Sequence, residues 1–85
     1  MNPRVKAVST KKDFKLELEF DNGEYKLFDV KPYIGKGIFR ELQNQNNFKS
    51  VKVVNGSIRW NNEADFCPDT LYIESVALNQ SESYL

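Results

Sequence analysis

The sequence predicts an α+β fold. It calls for a small antiparallel sheet of about five strands arranged in hairpins, with one short helix between the third and fourth strands and a helical segment towards the C-terminus. Three observations carry this prediction. Lys15 to Phe20 alternates charged with apolar residues and runs into Asp21-Asn22-Gly23. A second alternating run begins at Val51, turns at Asn55-Gly56 and returns through Ile58 to Trp60. Pro68 then stands where a helix begins, with Asp69 and Thr70 in its first turn.

Taken in order, Arg4 to Ser9 is a weakly alternating strand, with Val5, Ala7 and Ser9 on one face and Arg4, Lys6 and Val8 on the other. Lys11, Lys12 and Asp13 form a polar turn. In the next strand Leu16, Leu18 and Phe20 point inward, while Lys15, Glu17 and Glu19 face water. Two loops suit Asp21-Asn22-Gly23. A two-residue Asn-Gly turn pairs Phe20 with Tyr25 and leaves Phe28 and Val30 on the charged face. A three-residue loop with Gly23 left-handed pairs Phe20 with Glu24 and sets Phe28 opposite Leu16. The second is preferred because it buries two large apolar groups, and Lys26 can snorkel from the hairpin end.

Pro32, Gly35 and Gly37 take the chain out of the sheet. Ile38, Phe39 and Leu42 have helical spacing, which predicts a short helix from Gly37 to Gln43, ended by the turn-formers Asn44 to Asn47. Phe48 is expected to close over the core. The type I′ turn at Asn55-Gly56 pairs Val54 with Ser57, Val53 with Ile58 and Val51 with Trp60, so the apolar members share one face. Pro68 follows with Cys67 at the cap position. Leu71 to Leu78 is apolar nearly all round as a helix and alternates if extended, so both forms stay open. The expected core is Leu16, Leu18, Phe20, Phe28, Val30, Phe39, Leu42, Phe48, Val51, Val53, Ile58, Trp60 and Leu71. Residues 1–78 are expected to form one domain and 79–85 a loose tail.

Composition narrows the function classes. Lysines and arginines balance acids at 12 each, so there is no net field to hold a polyanion. A hydrophobic fraction of 40% beside 28% charged residues reads as a soluble globular chain. The single Cys excludes an internal disulfide, and with no His in the chain the usual zinc sites and the commonest general base are missing. No apolar run is long enough to span a bilayer, and Met1-Asn2-Pro3-Arg4 does not open a signal peptide. A cytoplasmic location is expected, with no membrane contact and no cofactor.

Leu18 with Phe20, Asp21-Asn22-Gly23-Glu24, Asp29-Val30, Pro32-Tyr33, Phe39 with Leu42, Phe48, Ile58-Arg59-Trp60 and Asp65-Phe66-Cys67-Pro68-Asp69-Thr70-Leu71-Tyr72 together resemble the domain-of-unknown-function family numbered 2442, over roughly residues 3 to 73. The most specific part is the Trp, the Asp and the Pro-acid-x-Leu-Tyr series. Typical members have Pro and Gly in the turn after the Trp, where this chain has Asn61, Asn62 and Glu63. The resemblance implies a small bacterial α+β domain, often encoded beside another small protein in a toxin–antitoxin-like arrangement. Some members carry a helix-turn-helix domain behind this module; none is expected here, since too few residues follow Tyr72. The family has no catalytic residues to carry over.

The candidate functional or motif residues are Trp60, Asp65, Cys67, Pro68, Asp69, Leu71 and Tyr72. Asp65 suits a carboxylate site with Trp60 and Tyr72, but reads better as an acceptor for free N–H groups at the helix start. Cys67 suits a lowered-pKa thiol, but a lone Cys is more often a small buried group. Asp29, Glu63, Asp65 and Asp69 match no oxygen-ligand loop. Lys11, Lys12, Lys15, Lys36 and Arg40 outline a candidate nucleic-acid face, which Glu17, Glu19 and Glu24 dilute. The first expectation is therefore a non-enzymatic protein-binding or regulatory module, antitoxin-like, meeting a protein partner or a second copy through the apolar C-terminal segment. The alternative is a nucleic-acid-binding transcriptional regulator using the basic N-terminal half. An enzyme or small-ligand or metal-binding domain around Asp65 comes third.

Overall fold

The choice between the two loops at Asp21-Asn22-Gly23 is decided by the backbone. In the computed structural model, which describes residues 2–78, Phe20 donates its N–H to the Glu24 carbonyl at 2.9 Å and Gly23 donates to the Phe20 carbonyl at 2.9 Å. Gly23 has φ +93°, a conformation that glycine adopts at little cost. Leu16 therefore faces Phe28, and Phe28 and Val30 join the leucines in the core.

Strands β1 (Val5–Lys11), β2 (Lys15–Phe20) and β3 (Tyr25–Asp29) form an antiparallel meander. Single-turn 3-10 helix Lys31–Tyr33, 3-10 helix Gly37–Gln43 and α1 (Gln45–Phe48) follow. Strands β4 (Lys52–Val54), β5 (Ser57–Arg59) and β6 (Asp65–Phe66), helix α2 (Pro68–Glu74) and β7 (Val76–Ala77) complete the described chain. The tail expected at 79–85 lies outside the described residues.

The α+β class holds, but the strands divide into two sheets, ordered β1-β2-β3-β7 and β4-β5-β6. The helical stretch after β3 carries the chain away from that strand's free edge, so β4 cannot pair there. β7 takes the edge instead, with Lys26 opposite Ala77 and Leu27 opposite Val76. The segment after Leu71 is thus helical and then extended, with the change at Ser75. The two sheets meet where Val5 donates its N–H to the Gly56 carbonyl at 2.8 Å.

Strand β1 departs from the expected alternation. A bulge between Val5 and Ala7 changes the register, so Val5 and Val8 pack on the core while Ala7 and Ser9 are exposed. A bulge shifts the phase of every later side chain by one residue. The helix at Gly37–Gln43 has the predicted bounds but 3-10 geometry. Asn44 does not simply end it. Its backbone is extended and its side chain accepts N–H bonds from Asn46 at 2.8 Å and Asn47 at 3.4 Å, which caps α1.

One apolar cluster is shared by both sheets. Ten of the thirteen expected core residues are fully enclosed, whereas Phe39, Val51 and Val53 are partly buried against it. Val5, Ile34, Ala64 and Phe66 are core residues that the sequence did not mark. Phe66 is an aromatic hub, with its ring centroid 4.9 Å from Phe39, 5.0 Å from Phe28 and from Tyr33, and 5.9 Å from Trp60. Trp60 is buried with its Nε1–H donated to the Phe48 carbonyl at 2.9 Å, so its polar atom is satisfied.

Candidate functional site

Helix α2 starts as the sequence requires. Cys67 is the extended N-cap, Pro68 is first, Asp69 lies in the first turn and Leu71 is fully buried. Asp65 is not a cap: among the described residues no side chain bonds the first N–H groups of α2. It lies on β6 opposite Arg59, exposed to solvent, with its Oδ2 3.9 Å from Arg59 Nη2. β6 ends at Phe66, and its pairing with β5 sets Asp65 opposite Arg59. Cys67 is exposed rather than buried, because its extended backbone continues the outward-facing row of Asp65. Asp69 accepts a bond from the Asn2 side-chain amide at 3.3 Å. Trp60 and Leu71 are in the core, so Trp60, Asp65 and Tyr72 form no common site.

Tyr72 is the residue of this motif with the most partners. Its hydroxyl donates to Glu24 Oε1 at 2.5 Å, and its ring meets Phe20 edge-on at 5.1 Å. The Lys26 ammonium stands 3.8 Å from the ring centroid and donates to the Tyr72 carbonyl at 2.5 Å. Lys26 was expected to snorkel at the hairpin end; it is instead largely buried on the core face, and the cation–π contact and carbonyl compensate its desolvation. The bond from Tyr72, with a second from Asn22, holds the Glu24 carboxyl below its ordinary value, and the same bond raises the Tyr72 phenol. Across the helix, Tyr33 donates to Glu74, and that bond raises the Tyr33 phenol. Two tyrosine–carboxylate bonds thus fasten α2. Glu24, Lys26, Tyr33 and Glu74 were not among the candidate functional residues read from the sequence; an acid in a hairpin loop gives no local sign of a tyrosine far along the chain.

Fastening α2 leaves Ile73 pointing outward, and β7 is turned so that Val76 is outward too; each is 69% exposed. The pairing Glu17–Leu27–Val76 and the adjoining pair Glu19–Tyr25 put Tyr25, Leu27 and Val76 on the open face of the four-stranded sheet, at its β7 side. β7 is hydrogen-bonded to β3 alone among the described strands. The opposite edge, β1, carries Lys6, Lys11 and a bulge, devices that discourage strand addition. β7 carries no charge.

The basic residues are placed differently. Lys11 pairs with Glu17 at 3.3 Å, and Lys15 and Lys31 pair with Asp13 at 3.5 and 2.7 Å. Lys31 holds the Asp13 carboxyl below its ordinary value. Lys36 and Arg40 belong to the 3-10 helix region, whereas Lys11, Lys12 and the newly adjacent Lys49 line a cleft of about 440 Å³ with Thr10, Gln45 and Phe48. Asp29, Glu63, Asp65 and Asp69 are not gathered; no group of three acid or Cys side chains suited to a metal occurs among the described residues. No described helix is long and apolar enough to cross a membrane.

Fold and surface define a small α+β domain of two antiparallel sheets with an uncharged edge strand beside an exposed apolar corner. The family model described as Protein of unknown function (DUF2442) matches residues 5–77, from β1 through β7, and the chain belongs to that family. No curated protein and no solved structure matches it.

Proposed function

We propose that the protein is a non-enzymatic protein-binding or regulatory module of the cytoplasm, the antitoxin-like member of a two-gene pair, which receives an extended segment of its partner along β7. The observation that carries this reading is the pair Ile73 and Val76, each 69% exposed, on and just before the uncharged edge strand. Strand addition uses free edge N–H and C=O groups for affinity and neighbouring apolar side chains for selection. Tyr25 and Leu27 supply such neighbours on the open face. Co-expression with the product of the adjacent gene tests it: the two co-purify, and Val76→Asp or Ile73→Asp weakens the complex by tenfold or more, on the order of one or two buried apolar contacts, with unchanged circular dichroism. A chain that binds no such product, or variants that bind as well as the parent, removes the proposal. Self-association abolished by Val76→Asp replaces the partner with a second copy.

A nucleic-acid reading has one observation in its favour, the grouping of Lys49 with Lys11 and Lys12 around one cleft. It requires a salt-dependent gel shift that Lys12→Gln with Lys49→Gln abolishes; no shift at low salt excludes it.

A further inference from the structure

We infer that the outer face of the three-stranded sheet binds a small ligand through an oxyanion, a phosphate monoester or a carboxylate, held between Arg4 and Arg59. The two arginines line one open cleft of about 410 Å³ with Asn55, Ser57, Asp65 and Cys67, a volume within the range of small-molecule sites. Arg4 is placed there by the hairpin turn. Gly56 has no side chain, and a Cβ on it would lie 2.5 Å from Arg4 Nε, so the side chain lies directly across the glycine. Its Nη2 donates to the Asn55 carbonyl at 3.1 Å, and its backbone exchanges bonds with Asp21.

Only one of the Arg4 donors is thereby used, and Arg4 has no carboxylate partner among the described residues. Arg59 comes from β5, and its nearest carboxylate oxygen, on Asp65, is 3.9 Å away, beyond a direct hydrogen bond. Among the described residues, two arginines thus line a cleft with one loosely placed carboxylate. Planar forks of this kind match phosphate and carboxylate oxygens. The site lies on the other sheet from β7, so the inference is independent of the partner edge.

Cys67 is the only cysteine, lines the same cleft and is exposed, which makes it a built-in reporter. The rate of its alkylation by iodoacetamide, a neutral reagent, is followed in the full chain against inorganic phosphate and against acetate, with ionic strength held constant by chloride. Saturable protection is expected. Protection by phosphate alone assigns a phosphate ester, and equal protection by acetate assigns a carboxylate. Arg59→Gln and Arg4→Gln each raise the concentration needed by about tenfold, the loss of one charge-assisted bond, Arg59→Lys recovers part of it, and Lys36→Gln changes nothing. Val76→Asp also leaves protection intact. Absence of protection by either anion, protection that survives removal of both arginines, or an equal loss in Lys36→Gln overturns the inference.

Discussion

Gly56→Ala is the substitution whose cost can be worked most fully from the structure. Gly56 has φ +81°, where an L-residue costs roughly 1–2 kcal/mol, partly offset by the lower entropy of the unfolded alanine chain, so the backbone share is about 1 kcal/mol. The new Cβ would also meet Arg4 at 2.5 Å from Nε, 3.1 Å from Cβ and 3.3 Å from Cδ. Nε could swing away, but the Arg4 Cβ is fixed by the backbone bonds that join Val5 to Gly56 and Asp21 to Arg4, both 2.8 Å. Relief therefore sacrifices the Arg4–Asn55 bond, a further 1 kcal/mol or so. Gly23→Ala is the control: φ is +93° and no atom of the described residues lies within 4 Å of a Cβ built there, so only the backbone share of about 1 kcal/mol is expected. Urea unfolding should give Gly56→Ala a loss of about 2 kcal/mol, and an Arg4→Ala background should recover about half of it in a double-mutant cycle. Equal losses at Gly56 and Gly23, or strict additivity with Arg4→Ala, would refute the argument that Gly56 is there to admit Arg4.

Two more outcomes follow from single groups. Glu63 is left-handed at φ +71° in the turn where Trp60 donates to the Ala64 carbonyl, so Glu63→Gly should stabilise by about 0.5–1 kcal/mol in thermal or urea unfolding; a loss would show that the Glu side chain itself holds the turn. The folded-state value of Glu24 lies below its unfolded one, so its contribution is complete above 4.5 and is lost as pH falls through the folded value, while Tyr72, raised in the fold, contributes below 10.0 and loses that contribution as pH rises through its own. Urea midpoints for Tyr72→Phe should accordingly fall less steeply with acid and with alkali than those of the parent, and parallel pH profiles would count against the Glu24–Tyr72 bond.

Where a local pattern and a local turn agreed, the fold was legible. The register of Val53 with Ile58 and the preference for Leu16 opposite Phe28 both follow from placing apolar groups on one side of a hairpin. Pro68 likewise marks the start of α2. Illegible features depended on distant groups. Phe66 sits on a strand of two residues, too short for a period to show, yet it gathers four aromatic rings. The division into two sheets depends on which strand reaches the free edge of β3, and the deciding residues, Val76 and Ala77, are far from it in the chain. Asn44 looked like a terminator because an Asn among Asn and Gln favours turns, but the same side-chain oxygen also starts a helix. For the candidate surface, the apolar segment was visible in sequence; that Ile73 and Val76 face outward was not, since this follows from Tyr72 and Glu74 being fastened elsewhere.

The strand order has a kinetic meaning as well. β1 with β2, β2 with β3, β4 with β5 and β5 with β6 are all neighbours in the chain, so each pairing closes only a short loop and can form early. The pairing of β3 with β7 alone spans most of the chain. It is expected to close last and, with only Lys26–Ala77 and Leu27–Val76 in register, to reopen first. Leu78 donates its N–H to the Tyr25 carbonyl, and the antiparallel alternation makes Val76 with Leu27 the next bonded pair. The amide hydrogens of Val76 and Leu78 would then exchange with solvent long before those of Leu16 or Leu18, and the edge that a partner would enter would open without unfolding the rest.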